Sequence, residues 1–258
     1  MGKDDGKHTA IEKALNILLA FVPYNQEMST TELSDRLGFH KATVSRTLQV
    51  LARYGFLMQN PQTKKYILGG ALIQLGGLAG HSFSGAFVQF AKPHIDELRE
   101  KLKETVALEV MSGENSYMAY VAEGPQRVRI AASVGEMLPR HAAAGAKAIL
   151  AFSSPEVQGQ IKNWPVMKRF TPNTIVDPKK FLQHLKVIRG EGVAFDNEEI
   201  DRGVSAMGAP IFGHEGQPIA AVVVVGPSQR IAIDKKSKIA PLLKDVAAKI
   251  SDQLQANR

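Results

Sequence analysis

Arg46 and Gln49 are the side chains of this sequence best equipped to read base edges, since a guanidinium can bond guanine bidentately and a carboxamide can pair with adenine. Beside them stand Lys41, Thr43 and Ser45, which suit phosphates, and Ala42, small enough to let backbone approach DNA closely. Arg53 extends the set by one turn. Groups of this kind act together only if one helix turns them to a single side.

The spacing predicts such a helix. Val44, Leu48 and Leu51 form an apolar stripe. With Val44 inward, a rotation of about 100° per residue turns Ala42, Arg46, Gln49 and Arg53 outward and leaves Thr43 and Ser45 on the flanks. Before it, Leu33 and Leu37 share one face of a shorter helix, and Gly38 marks the turn between the two. A helix, a Gly-containing turn and a second helix is the arrangement that lays a helix into the DNA major groove. Downstream, Gly55 to Gln59 and Lys65 to Leu68 read as strands joined by Asn60-Pro61-Gln62-Thr63-Lys64, a wing with Lys64 and Lys65 at its tip. Upstream, Thr9 and Glu12 have capping-box spacing, and Ile11, Ala14, Leu15, Leu18 and Phe21 form the apolar face of a first helix ending before Pro23. The first nine residues read as a solvated tail.

Charge placement supports the same surface. The net charge of +7 is only moderately basic, but no Asp or Glu occurs from Arg36 through Ile95, while Arg36, Lys41, Arg46, Arg53, Lys64, Lys65 and Lys92 all do. One-signed charge of this kind is expected of a phosphate-facing surface.

The 258 residues are long enough for two cores, of which the first small domain uses about 70. With no cysteine, disulfides, thiolate metal sites and thiol catalysis are excluded, which fits a reducing cytoplasm. No apolar run approaches the roughly 20 residues that cross a bilayer, and Met1 to Ala10 is too polar for a secretory signal, so the expected location is cytoplasmic with no membrane partner.

The remainder alternates helices and strands. Residues 69–83, glycine-loaded but apolar at helical spacing, read as a linker helix. A helix from Ser84 to Leu102, kinked or divided at Pro93, leads to strand-like runs at Val106–Met111, Tyr117–Ala122 and Arg127–Ala132. Helices are expected at Ala142–Phe152, after Ser154-Pro155-Glu156, and at Pro178–Arg189 behind an Asp177 cap. Strands follow at Val204–Phe212 and Pro218–Val225, then a last helix from near Asp234 to Gln255. Such an order indicates an α+β domain on an antiparallel sheet. The expected division is therefore 1–68, 69–83 and 84–258.

Several motifs in order resemble the IclR family of transcriptional regulators over nearly the whole chain. Ala14-Leu15-Asn16-Ile17-Leu18, Lys41-Ala42-Thr43-Val44-Ser45-Arg46 and Tyr66-Ile67-Leu68-Gly69 resemble its N-terminal signature. His141-Ala142-Ala143-Ala144-Gly145-Ala146-Lys147-Ala148, Gly192 to Glu199, Ala209-Pro210-Ile211 and Gly226-Pro227 resemble that of its ligand domain. The resemblance implies a winged helix-turn-helix, a linker helix and a GAF-like effector domain, acting as a homodimer or tetramer on double-stranded operator DNA. It also implies an effector pocket lined by Ala144, Gly145, Asp196, Val204, Ala206, Val223 and Val225, with Ile130 on a facing strand. Ala146 departs from the glycine usual before the Lys, and Val223 and Val225 stand where some members place serines, so the pocket is expected to be more apolar than theirs.

A helix start at Ala143-Ala144-Gly145 presents free N–H groups and a favourable dipole to an anion, so the expected effector is a small carboxylate, with an aromatic body as one form. The resemblance implies that it is an intermediate of a catabolic operon under the regulator's control. Two other classes compete. His141, Lys147, Asp196, Glu198 and Glu199 could be acid, base or metal groups of an enzyme, but the seven histidines have no ligand spacing, and no nucleophile elbow or phosphate-binding glycine loop is present. Asp196, Glu198 and Glu199 read more simply as a solvated or capping cluster after a strand. The second competitor is an architectural DNA-binding protein without an effector. No cofactor is expected.

Overall fold

A capping box at Ser29 and Glu32 starts helix α2 (Thr30–Leu37), as Thr9 and Glu12 start α1 (Ala10–Leu19). The computed structural model describes residues 8–22, 25–75, 83–113, 115–231 and 238–256. Ser34 Oγ donates to the Phe39 carbonyl at 2.7 Å and fixes the turn from α2 into α3 (Lys41–Arg53). Strands β1 (Leu57–Gln59) and β2 (Tyr66–Leu68) form the antiparallel wing, and Met28 bridges to Tyr66. Ile17, Phe21, Leu33, Val44, Leu48 and Leu57 fill this unit's core.

The inward face of α1 differs from the expected one. Ile11 and Leu15 are 74% and 54% exposed, while Ile17, Ala20, Phe21 and the stem of Lys13 are buried and Ala14 and Leu18 lie between. Apolar residues occupy most sides of α1, so two stripes satisfy the same period, and packing within the unit selects one. Of the expected linker helix, residues 71–75 are helical and 76–82 lie outside the described residues, as do the first seven residues of the expected tail.

Contacts divide the chain into Met1–Ala86 and Phe87–Arg258. Beyond the linker run α4 (Phe83–Leu102), β3 (Thr105–Ser112), β4 (Asn115–Ala122), β5 (Met137–Leu138), α5 (Ala144–Phe152), α6 (Pro155–Gln160) and a 3-10 turn (Ile161–Asn163). Then come α7 (Pro178–Glu191), β6 (Ala194–Asn197), β7 (Val204–Phe212), β8 (Pro218–Pro227) and α8 (Ile239–Ala256). Pro93 lies inside α4 without dividing it, and residues 232–237, where the last helix was expected to begin, are outside the described set. Among the described residues no helix is long and apolar enough to cross a membrane.

The sheet runs β5-β4-β3-β8-β7-β6, antiparallel throughout. Ala220, Val222 and Val224 of β8 face Phe87, Ile95 and Leu98 of α4 and Leu243 and Ile250 of α8. The alternate residues Ala221, Val223 and Val225 face Ile149 of α5 and Phe181 and Leu185 of α7. Because helices cover both faces, β8 reads as one apolar run, without the polar alternation of a half-exposed strand.

Arg127–Ala132 is not a strand. Its carbonyls are taken by side chains: Ile130 O accepts from Thr105 Oγ1 at 2.9 Å and Val128 O from Arg230 Nη2 at 2.8 Å. The free edge of β4 pairs instead with residues 135–138, including β5. The two-residue β5 was not anticipated, because it leaves too little periodicity to detect, while the strand expected before the acidic cluster is β6, which runs on to include Asp196.

Gly208 on β7 lets α5 approach to backbone contact. A Cβ there would lie 2.8 Å from the Ala144 carbonyl carbon and 2.9 Å from Gly145 N, and neither can give way as a side chain would. Gly208→Ala should lower stability by about 1–3 kcal/mol. Urea unfolding of the full chain measures this; an unchanged midpoint would show that α5 is not held by this contact.

Candidate functional site

The exposed face of α3 carries the expected residues. Val44, Leu48 and Leu51 are buried; Lys41, Ala42, Arg46, Gln49 and Arg53 are exposed, with Thr43 and Ser45 half-buried at the flanks. Thr47 Oγ1 donates back to the Thr43 carbonyl at 2.9 Å, so this threonine is turned to its own helix. The N-cap His40 supplies no side-chain capping bond, so the first N–H groups of α3 are left to other partners.

The two wing lysines differ. Lys64 is exposed at the tip, whereas Lys65 Nζ lies 3.0 Å from Glu32 Oε1 of α2. Glu32 is held at about 2, first by the Ser29 N–H and then by Lys65. Glu27 anchors the tip from outside the acid-free stretch, accepting from Asn60 Nδ2 at 2.6 Å and Thr63 Oγ1 at 2.9 Å. The wing is thus tied down by two acids, and most of its uncompensated charge is at Lys64.

In the second unit, β3, β4, β7, β8 and α5 enclose a cavity that is partly open to solvent. Ile130, Ala144, Asp196, Val204, Ala206, Val223 and Val225 all line it, together with Glu109, Met118, Glu136, Leu138 and Asp201. Ile130 reaches it from a loop, not from the strand expected there. Gly145 is the one expected pocket residue that does not line it.

Gly145 has a different task. Glu109 is completely buried, and its carboxylate accepts from Gly145 N at 3.1 Å and Ala146 N at 2.8 Å, with Ser116 Oγ as a third donor. A Cβ on Gly145 would sit 2.3 Å from Glu109 Oε2, so glycine makes room for this carboxylate. The ladder shifts register between Leu108 and Glu109. The expected anion site at the start of α5 is therefore occupied by the protein's own anion. Sequence reasoning missed Glu109; the available signal was one charged residue in the otherwise apolar run Val106-Ala107-Leu108-Glu109-Val110.

Asp196 and Glu199 are each 4% exposed, not solvated. Asp196 caps the following turn, accepting from Glu199 N at 2.6 Å. The fully buried Lys147 pairs with Glu199 and donates to the Phe195 carbonyl at 2.5 Å. Burial pushes Glu109 up to about 7 against the lowering effect of its three donors, and pushes Asp196 up to about 6 despite the Lys147 charge. Burial also lowers the imidazoles of His141 and His184, the latter to about 4. His141 Nε2 lies 2.9 Å from the Lys168 carbonyl, whereas Lys147, Glu199 and Asp196 form one buried cluster joined by the Lys147–Glu199 pair and the Glu199 N–H bond to Asp196.

Comparison with known proteins identifies this combination. The model of the IclR C-terminal domain of bacterial transcriptional regulators matches residues 84–252, and that of the IclR helix-turn-helix domain matches 10–61. The chain belongs to the IclR family of transcriptional regulators. The family consists of DNA-binding regulators, not enzymes. The regulator is 28% identical over 254 residues to the HTH-type transcriptional regulator KdgR of Dickeya chrysanthemi, covering 98% of this chain and 82% of that one. The Thermotoga maritima IclR crystal structure matches at TM-score 0.72 and 29% identity over 95% of this chain and 98% of that one. An IclR homologue from Microbacterium hydrocarbonoxydans, solved with 4-hydroxybenzoate, shares the fold at TM-score 0.78 and 23% identity over 96% of this chain and all of its own.

Two outcomes test the buried charges of this regulator. Lys147→Met leaves Glu199 without its cation and should cost about 3–5 kcal/mol, while adding Glu199→Leu should restore much of the loss. Denaturant titrations of both variants measure this; equal instability of the double variant would mean that packing around Lys147, not its charge, is what matters.

The second concerns pH. Folding raises the Glu109 pKa from 4.5 to about 7, so the folded protein keeps a proton that the unfolded chain has lost. Its contribution to stability is therefore full below about pH 4.5 and declines as pH rises to about 7. Relative to Glu109→Gln, wild-type stability should fall by roughly 3 kcal/mol across that window. His141 and His184 act in the opposite sense but are present in both proteins and cancel in the difference. A pH-independent difference would contradict the assignment.

Proposed function

We propose that this IclR-family regulator binds an operator through the exposed face of α3 and changes its DNA affinity when a small effector enters the cavity at Asp196, Ala206, Val223 and Val225. The observation that carries the DNA half is the coincidence of Lys41, Arg46, Gln49 and Arg53 on one exposed helix face. In this reading Arg46 and Gln49 read base edges, Thr43, Ser45, Lys41, Arg53 and Lys64 contact the backbone, and Ala42 permits close approach. Lys65 contributes less, because Glu32 offsets its charge.

The proposed division is a DNA-binding domain over 1–68, a connector over 69–83 and an effector domain over 84–258, working in the cytoplasm on a catabolic operon. Self-association as a dimer or a dimer of dimers is supported by the exposed apolar stripe Ile11, Leu15 and Leu19 on α1. A compact aromatic body like that of the 4-hydroxybenzoate solved with the Microbacterium relative would enter this cavity beside Glu109 and Asp196. Ile130, Ala144 and Val204 supply apolar wall, and Gly145 acts through Glu109.

Arg46→Ala should weaken binding to DNA flanking the gene by about 1–3 kcal/mol while leaving binding to scrambled DNA nearly unchanged. Gel-shift titration on both DNAs decides it, and equal losses would reassign Arg46 to phosphate. In the same assay Lys64→Ala should reduce the salt slope by about one unit and Lys65→Ala by less. Equal slopes for wild type and Lys64→Ala would place the wing off the DNA.

A further inference from the structure

The cavity carries an unbalanced charge. Among the described residues its lining includes Glu109, Glu136, Asp196 and Asp201 and no Lys, Arg or His. Glu109 and Asp196 are almost wholly buried, and among the described residues neither forms an ion pair. Buried charges ordinarily have a counter-charge. The nearby cation Lys147 is committed to Glu199 and the Phe195 carbonyl. At the start of α5, the N–H groups of Gly145 and Ala146 that would receive an incoming anion already bond Glu109.

We propose that the effector of this cavity is an organic cation, an ammonium or amidinium group on a compact apolar body, with Glu109 and Asp196 as its counter-charges. This rests on the reading of the cavity as the effector site. The cation is organic because, among the described residues, no three His, Asp or Glu side chains are grouped to hold a metal ion. Its charged end faces the two buried carboxylates, and its apolar body meets Val204, Ala206, Val223 and Val225, where no donor or acceptor side chain competes. An anionic effector would meet no cation among the described lining residues and would raise further two acids that burial already holds up.

A proton signature follows. Without a cation, burial holds the two carboxyls high, and each also faces the other's charge or that of Glu199, with Lys147 opposing for Asp196 and Glu136 and Asp201 nearer solvent. A bound ammonium lowers both, so binding releases protons near neutral pH and tightens as pH rises from about 6 towards 8. An anion would instead bind with proton uptake.

Calorimetry on the full chain with benzylamine, benzoate and benzyl alcohol, repeated in buffers of different ionisation enthalpy, tests the proposal. Benzylammonium should bind more tightly than benzoate and release protons. Glu109→Gln and Asp196→Asn should each weaken it on the order of tenfold, the effect of one charge-assisted hydrogen bond, while benzyl alcohol changes little. Thermal unfolding confirms that each variant folds, and either one alone suffices. No benzylammonium binding at millimolar concentration, tighter benzoate binding, or proton uptake would overturn the proposal. Val223→Phe, which fills the cavity, separates the two readings. If it abolishes benzoate binding while benzylammonium never binds, the cavity is the effector site and its cation preference is wrong. If it leaves benzylammonium binding intact, the cation sits elsewhere and the cavity reading itself fails.

Discussion

Helix α5 is buried from Ala144 to Ala151, so its polar start and its one cation must be satisfied inside the protein. Most of the effector domain's unusual chemistry follows from that constraint. Water cannot reach the N–H groups of Gly145 and Ala146, and Glu109 from β3 takes them. Water cannot solvate Lys147 either, and Glu199 with the Phe195 carbonyl takes its ammonium. The close approach of helix to sheet needs a bare backbone at Gly208 and at Gly145. Buried acids, a buried lysine and two cramped glycines are thus parts of one solution to packing a helix flat against a sheet.

How much could be read in advance depended on whether a period or a single partner carried the information. The face of α3 is fixed by regular spacing along 13 residues, so Arg46, Gln49 and Arg53 could be placed outward from Val44, Leu48 and Leu51 alone. The same logic cannot choose on α1, where Ile11 and Leu15 satisfy the period as well as Ile17 and Phe21. Arg127–Ala132 has strand-like residues, but Thr105 and Arg230 reach its carbonyls first. Such contacts span 25 and 102 positions, and nothing local encodes them. The resemblance to the IclR family located the cavity walls without revealing what occupies the start of α5. Motif spacing describes a backbone cradle; it does not say which anion fills it.

Acidic residues also shape the DNA-binding unit, although the stretch around its recognition helix lacks them. Glu27 and Glu32 lie just before that stretch and fold back onto the wing through Asn60, Thr63 and Lys65. Each contact is exposed and weak alone. Together they fix the tip of a hairpin whose strands are only three residues long and would otherwise be marginal. The cost is electrostatic, since one wing lysine is partly neutralised. The arrangement favours a positioned wing over a more strongly charged one.

A cavity lined by buried acids is held together less favourably than an ordinary apolar core. Two carboxyls held at about 7 and about 6 mean that the fold disfavours their ionised forms, which the unfolded chain accepts freely. A ligand that supplies the missing charge recovers this energy on binding, in addition to the apolar area it covers. Recovery alone does not make a switch, because a ligand shifts DNA affinity only by the difference in its affinity for two conformations. Glu109 is placed to serve that requirement in a way an apolar wall is not. It bonds the start of α5, the Ser116 hydroxyl on β4 and the cavity at once, so any change in its charge or position alters how helix and sheet are held together. In the proposed response the coupling element is the seat of α5 on the sheet, a contact between rigid backbones with little tolerance for a gradual change.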